Sequence, residues 1–278
     1  MKSETTSNGT SSYLYDENNQ LTNETLPDGT TNSYSYDAVG NRTSETRNGV
    51  TDNFTYNAAN QISTKNGTAY SYDKDGNLTQ DENYKYEYNV LGQQTRITTL
   101  QGVEVARYEY DENNLRTKKI IGNETHEYFY ESNNLSLEII RDENGIKQYR
   151  YYQWDSAGTP LGMVIRDKDG SGNWQEKVYH FLTNHKGDVV SILDNNGNKI
   201  GSYTYDAYGN VLSETGVIAQ ENSIRYAVYY YDTESNHYYL QARYYNPENG
   251  NFQALDLHPG NAIEPLSQND IHMLITTQ

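Results

Sequence analysis

Apolar residues are sparse along this chain, and aromatic ones recur in pairs two residues apart. Eight tyrosines anchor the pattern: Tyr15, Tyr36, Tyr56, Tyr72, Tyr88, Tyr110, Tyr130 and Tyr205. Two residues before each stands a second aromatic (Tyr13, Tyr34, Phe54, Tyr70, Tyr86, Tyr108, Tyr128, Tyr203). One residue after comes Asp16, Asp37, Asn57, Asp73, Asn89, Asp111, Glu131 or Asp206. Four residues after comes Asn19, Gly40, Asn60, Gly76, Gly92, Asn114, Asn134 or Gly209. Aromatics at i and i+2 share one face of a strand. The acid or amide can bond forward to the backbone and open a turn. Gly and Asn tolerate the left-handed backbone that closes a longer hairpin loop.

A second kind of turn alternates with these loops: Asp28-Gly29, Asn48-Gly49, Asn66-Gly67, Asn144-Gly145 and Asn196-Gly197. Such pairs suit two-residue type I′ hairpins. Each repeat is therefore predicted to be one β-hairpin, with successive hairpins paired into a long, twisted antiparallel sheet. Anchor tyrosines should end strands, and the eight Gly or Asn positions should sit in loops. From Tyr149 the beat loosens, through Tyr151, Tyr152, Trp154 and Asn184-His185-Lys186-Gly187, before the last anchor at Tyr205. A soft boundary is placed there, inside one continuous sheet. No segment has a helical period; a turn or two of helix near 250–255 is the most expected.

Composition changes the picture in two ways. Among 278 residues only 34% are apolar, which by itself hints at disorder, but 29 tyrosines supply an aromatic core. The net charge of −17 argues against broad binding to nucleic acid or anionic membrane. With no cysteine, disulfides and thiolate metal sites are excluded. No apolar run reaches transmembrane length, and Met1-Lys2-Ser3-Glu4-Thr5 carries no secretory signal. Asp167 to Asn173 has oxygen ligands at alternate positions, but Val178 stands where a calcium loop needs a bidentate Glu, so a hairpin tip is expected. The histidines lack metal-ligand spacing, and no metal or cofactor is predicted.

Near the end, Tyr229-Tyr230-Tyr231-Asp232 and Tyr238-Tyr239 lead into Arg243-Tyr244-Tyr245-Asn246-Pro247-Glu248-Asn249-Gly250-Asn251-Phe252, followed by Asp256. Pro247 and Gly250 suit a tight reversal between extended runs, with Phe252 returning towards the paired tyrosines. This block resembles the RHS-repeat-associated core domain, which ends the YD-repeat (RHS) shell of bacterial polymorphic toxins. The segments after Tyr149 resemble particularly the wall-associated form in Gram-positive bacteria. The resemblance covers YD repeats over 11–148 and the core over 149–269.

It implies an all-β chain of antiparallel hairpin repeats, wound as a β-spiral into an open fragment of a hollow shell. The implied role is encapsulation and delivery of a C-terminal toxin domain, in a family that is secreted or wall-associated. Its partners would be that toxin domain and further shell segments. The family core also resembles an aspartyl autoprotease, which needs two nearby carboxylates. Asp256 occupies one of the two places, but Asn246, Asn251 and Leu257-His258-Pro259 depart from the pattern, and the partner D-P-x-G motif is not reached. Asp256 is thus a relic candidate in a non-enzymatic chain.

Residues 270–278 depart from the resemblance. The family string G-Y-T-Y-A-N-N-N-P-V, written in plausible codons and shifted by one base, translates to the D-I-H-M-L-I-T-T-Q found here and then stops. The tail is expected to be frameshifted. Two other expectations follow. An open sheet edge should make the isolated chain self-associate. Alternatively, the tyrosine ladders could bind cell-wall carbohydrate, in which case their rings should be open to solvent.

Overall fold

The computed structural model describes residues 1–6, 9–241 and 243–254. The chain is a meander: an eight-stranded sheet, then a fourteen-stranded one, each strand paired antiparallel with its sequence neighbours. The two sheets are consecutive along the chain. Thr68–Ala69 closes the first and Ser71–Tyr72 opens the second, with Tyr70 between them donating its N–H to the Ser63 carbonyl at 2.9 Å. A helix, Val217–Glu221, follows the meander, and a last sheet of four short strands runs from Tyr230–Asp232 to Asn251–Phe252.

Seven of the eight anchor tyrosines are the last residue of a strand. The side chain after the anchor then organises the loop. Asp16, Asp37, Asn57, Asp73, Asn89, Asp111 and Asp206 each accept the backbone N–H groups two and four residues on. The Gly or Asn four after the anchor takes a positive φ in these seven loops, from 59° at Asn60 to 96° at Gly40. Ladder register shifts at the anchor in hairpin after hairpin, as between Leu14/Tyr15, Thr55/Tyr56, Glu109/Tyr110 and Thr204/Tyr205. A bulge bends its strand and raises the local twist, so repeating it at one position curls the whole sheet.

The Tyr130 repeat differs. Glu131 and Asn134 face each other across a two-residue turn, with Ser132 and Asn133 both at positive φ, and Asn134 opens the next strand instead of a loop. Glutamate is one methylene too long for the short forward bond that Asp and Asn make. Three of the five expected two-residue turns also differ. Leu26 to Thr30 and Asp194 to Asn198 are five-residue loops of one bonding pattern, with Gly29 at φ 86° and Gly197 at φ 81°, and Glu143-Asn144 is the turn that precedes Gly145. Asn48-Gly49 and Asn66-Gly67 are two-residue turns with both φ angles positive. Asp169 opens a hairpin tip of the same side-chain-bonded kind. The helix at Val217–Glu221 corrects the expectation of helix near 250, where Asn246 and Asn251 instead pair across a turn.

The inner member of each aromatic pair is buried from Tyr34 onwards, and these rings share one cluster from Phe54 to Tyr203. The anchors themselves tie repeats together. Tyr36, Tyr56, Tyr72, Tyr110, Tyr130 and Tyr205 donate their hydroxyls to the carbonyls of Leu21, Arg42, Ile62, Gln94, Arg116 and Val189, at 2.6–3.0 Å. Each acceptor begins the strand after the preceding loop, so every strap crosses one hairpin. Trp154 completes the set with Nε1 on the Leu135 carbonyl at 2.7 Å. Tyr152-Gln153-Trp154-Asp155, with Gly158 at φ 82°, is therefore a further repeat with tryptophan as its anchor. Position 149 lies within the strand Gly145–Trp154, and the meander runs through it unbroken.

The Tyr36 and Tyr208 hydroxyls meet at 2.6 Å. Some sixteen strand spacings separate them along the sheet, which would span roughly 75–80 Å if flat. The sheet has therefore curled far enough to bring its last hairpin against its second. Arg47 on Asp206 at 3.2 Å and Lys186 on Glu4 at 3.6 Å cross the same junction.

Candidate functional site

The candidate site is the face enclosed by that curl, where the four-stranded C-terminal sheet packs on the inner aromatics. Inward positions opposite those rings carry charge: Glu45 faces Tyr34, Lys65 faces Phe54, Lys119 faces Tyr108 and Glu138 faces Tyr128. A charge taken from water must be paired there.

Two clusters hold the C-terminal sheet. In the first, Asp232 accepts Arg116 Nη1 at 2.5 Å and Lys119 Nζ at 2.7 Å. The rings of Tyr108, Tyr128, Tyr230, Tyr239 and Tyr244 surround the Arg116 guanidinium at 4.4–5.9 Å. Burial opposes ionisation of Asp232, yet Arg116 and then Lys119 outweigh it and hold the carboxyl below its usual range. In the second, Glu138 accepts His126 Nδ1 at 2.6 Å, Tyr230 Oη at 2.8 Å and Tyr152 Oη at 3.1 Å. Burial again opposes ionisation, and Arg150 and His126 overcome it.

The sequence-predicted residues fall into two groups. The repeat residues Tyr15, Tyr36, Tyr56, Tyr72, Tyr88, Tyr110, Tyr130 and Tyr205, with Asp16, Asp37, Asp73, Asp111, Asp206, Gly40, Gly76, Gly92 and Gly209, form strand ends and loops along the wall. The motif residues are brought together inside. Tyr244 Oη lies 3.1 Å from Arg116 Nη1, and Tyr245 donates to the Tyr208 carbonyl at 2.9 Å. The Pro247 carbonyl accepts Asn210 Nδ2 at 2.8 Å, and the Glu248 carbonyl accepts both Arg42 and Arg47 at 3.1 Å. Lys65 pairs with the Glu248 carboxylate. Gly250, at φ 67°, comes so close to Tyr208 that a Cβ would lie 2.9 Å from its ring. Phe252 packs on Tyr245 and lies 3.8 Å under the Arg243 guanidinium. Asp256 and the tail from 270 lie outside the described residues.

Sequence reasoning missed Arg42, Arg116, Lys119, His126, Glu138 and Asp232 as interior groups. For Lys119, His126 and Glu138 the available signal was their place in the two-residue alternation, on the same face as the inner aromatics. Among the described residues no cluster of three or more His, Cys, Asp or Glu could hold a metal ion.

Two histidines give the interface opposite pH responses. Burial pushes His237 down to about 4, against weaker pulls from Asp232 and Glu82, while Gln253 and the Tyr86 ring sit beside it. The unfolded chain then binds more protons than the folded one between about 4 and the ordinary value near 6.5, so this contribution is lost as pH falls through that window. His126 is the reverse. Burial lowers it, but hydrogen bonds to Glu124 and Glu138 raise it overall, so its contribution is full below about 6.5 and lost as pH rises through the folded value. Urea midpoints measured from pH 4 to 9 should form a dome. His237→Gln should flatten its acid side, and His126→Gln its alkaline side.

A curled antiparallel meander, strapped repeat to repeat and filled by its own terminal sheet, is the wall of a shell. The chain belongs to the Teneurin YD-shell family, which matches it over residues 1–269, and it is a YD-repeat protein. It is 35% identical over 261 residues to the tRNA3(Ser)-specific nuclease WapA of Bacillus spizizenii, and 35% identical over 263 residues to the tRNA nuclease WapA of Bacillus subtilis strain 168. Each match covers 92% of this chain and 11% of the relative, so the chain spans about a tenth of these curated relatives' length. Its fold is similar to the Photorhabdus luminescens Tc holotoxin pore (TM-score 0.55, 16% identity, 96% of this chain and 17% of that one). The TcdB2–TccC3–Cdc42 crystal structure is similar too (TM-score 0.57, 16% identity, 96% and 18%).

Proposed function

We propose that this chain is a section of the wall of a toxin-encapsulating shell, with a role in enclosing and delivering a C-terminal toxin domain. The observation that carries this reading is the curl of the open sheet, which brings Tyr36 against Tyr208 with the terminal sheet held inside. The wall is structural. Two of its interior carboxylates, Asp232 and Glu138, are held in ion pairs and hydrogen bonds. The tRNA nuclease activity in the relatives' names would belong to a toxin domain, not to residues 1–254. In this role the parent protein is secreted or wall-associated. Residues 11–148 serve as repeats and 149–269 as the core that closes them. The outermost strands of the meander, Lys2–Thr6 and Val211–Thr215, are where neighbouring wall segments would pair, and in isolation they would recruit other copies. The tyrosine-ladder reading is weakened by burial, since the inner rings from Tyr34 to Tyr203 face the core.

The test is a chimera in which residues 1–269 replace the matching segment of the Bacillus subtilis relative. It should keep that relative's tRNA nuclease activity and its resistance to limited proteolysis, and the isolated chain should leave tRNA intact. Cleavage of tRNA by the isolated chain, or a chimera that becomes protease-sensitive, would overturn the proposal.

A further inference from the structure

One buried carboxylate lies on the seam of the curl and differs from those inside it. Asp232 and Glu138 each have cations beside them. Glu24 is fully buried too, yet among the described residues it forms no ion pair. It stands in the strand Leu21–Thr25, between Tyr13 on one neighbouring strand and Asn32 on the other. Its Oε2 accepts Asn32 Nδ2 at 3.1 Å and the Tyr34 hydroxyl at 3.4 Å, while Oε1 completes no hydrogen bond among the described residues. From across the seam the Asp206 carboxylate and the Ala207 N–H face it.

The cations around this point are committed elsewhere. Lys186 lies 3.6 Å from Glu4 and 3.7 Å from Asp188. Arg47 pairs with Glu45 at 2.9 Å and Asp206 at 3.2 Å, and Arg42 with Glu45 at 2.9 Å. Tyr13, Tyr15, Tyr34 and Tyr208, all raised by burial, supply neutral hydroxyls, and the exposed His185 is turned to Glu4 at 3.4 Å. A charge buried without a partner is costly, so the acid keeps its proton. Burial, and then Asp206, push the Glu24 carboxyl up to about 7, against weaker pulls from Asn32, the Ala207 N–H and Lys186.

The joint itself is slight. Leu21, Tyr34, Ala207 and Tyr208 form a small buried cluster of their own, apart from the aromatic core that runs from Phe54 to Tyr244. The loop side is fixed, because Tyr226 and Tyr245 donate to the Ala207 and Tyr208 carbonyls at 2.8 and 2.9 Å. The strand Arg42–Arg47 is tied to the Glu248 carbonyl. What can part is the pair of hairpins before it, residues 9–36, which reach the loop through Glu24, Tyr34 and Tyr36. Segments with few buried apolar contacts open locally before the rest unfolds.

We propose that Glu24 is a proton-operated latch on this seam. Neutral, it rests against Asp206 and lets residues 9–36 hold the curl. Ionised, it repels Asp206 and draws in water, and the two hairpins part from the 206–209 loop. The enclosed face then becomes reachable from this side. In the proposed encapsulating role, on which this consequence rests, the wall holds together in acid and loosens at neutral pH and above. The folded chain binds more protons here than the unfolded one between about 4.5 and 7. The latch's contribution is therefore complete below about 4.5 and lost as pH rises through about 7.

The test is native-state hydrogen exchange of the intact chain, read by mass spectrometry from about pH 4.5 to 8.5 and corrected for the intrinsic effect of pH. Protection of residues 9–36 should fall about tenfold per pH unit between about 5 and 7 and level off above, as release of one proton on opening requires. Glu24→Gln mimics the neutral acid and should remove that slope, whereas His185→Gln should leave it in place. A flat profile in the wild-type chain would overturn the proposal. So would a slope shared equally by the strand Arg116–Ile121, one that survives Glu24→Gln, or one that His185→Gln abolishes. Failure of Glu24→Gln to fold would count against it as well, since the neutral side chain is the one the seam is said to hold. None of these readings involves a cargo, so they stand apart from the outcome of the chimera experiment.

Discussion

Replacing Arg116 with methionine should lower folding stability by about 3–5 kcal/mol, the usual cost of leaving a buried charge without its partner. The guanidinium is 1% exposed, bonds Asp232 and fills a box of five tyrosine rings. Methionine keeps much of the volume but leaves the Asp232 carboxylate dependent on Lys119 alone. A typical domain has only about 5–15 kcal/mol in total, so the C-terminal sheet should loosen well before the wall unfolds. Urea unfolding gives the loss, and hydrogen exchange should show it concentrated between 230 and 246. The double variant Arg116→Met/Asp232→Asn should recover part of it, since no unpaired carboxylate is left and Lys119 keeps Glu234 at 3.2 Å. A single-variant loss below about 1 kcal/mol would mean that the interior is wet enough to solvate Asp232.

Gly209→Ala should cost about 2–4 kcal/mol, the sum of a left-handed backbone penalty and overpacking. Its φ is +89°, and a Cβ would lie 2.6 Å from the Tyr226 ring. That ring cannot retreat easily, because it is buried and its hydroxyl is bonded to the Ala207 carbonyl at 2.8 Å. The Gly209 carbonyl also accepts the Tyr238 hydroxyl, so the loop is fixed from both sides. Gly29 is the control. Its φ is +86° and an added methyl would meet nothing within 4 Å, so Gly29→Ala should carry the backbone penalty alone, about 1–2 kcal/mol. Equal losses at the two positions would show that the Tyr226 contact is unimportant. Denaturant midpoints of the two variants settle the comparison.

The wall was legible because it is local. An aromatic pair, an Asp or Asn, and a Gly or Asn lie within seven residues, and each acts on its immediate neighbours. The Trp154 repeat escapes a pattern defined by tyrosine, although the indole N–H makes the same strap as a phenol. Glu131 fits the same pattern as an acid, although its extra methylene changes the turn. The interior was less legible for a different reason. Arg116 and Asp232 look like ordinary surface residues, and only contacts across 116 positions of sequence make them a buried pair. Likewise, no local signal announces that Tyr36 will meet Tyr208. That contact is the accumulated result of many small bends.

The tyrosine straps have a consequence for how such a wall can change over generations. Each hydroxyl reaches back across one complete hairpin, so the smallest heritable unit is a hairpin, spaced here by 16 to 22 residues between early anchors. Tandem duplication of a gene segment that carries one whole unit adds a strap and its acceptor together. Duplication of half a unit reverses the chain direction and separates a strap from its acceptor, so lineages should retain only whole-number additions.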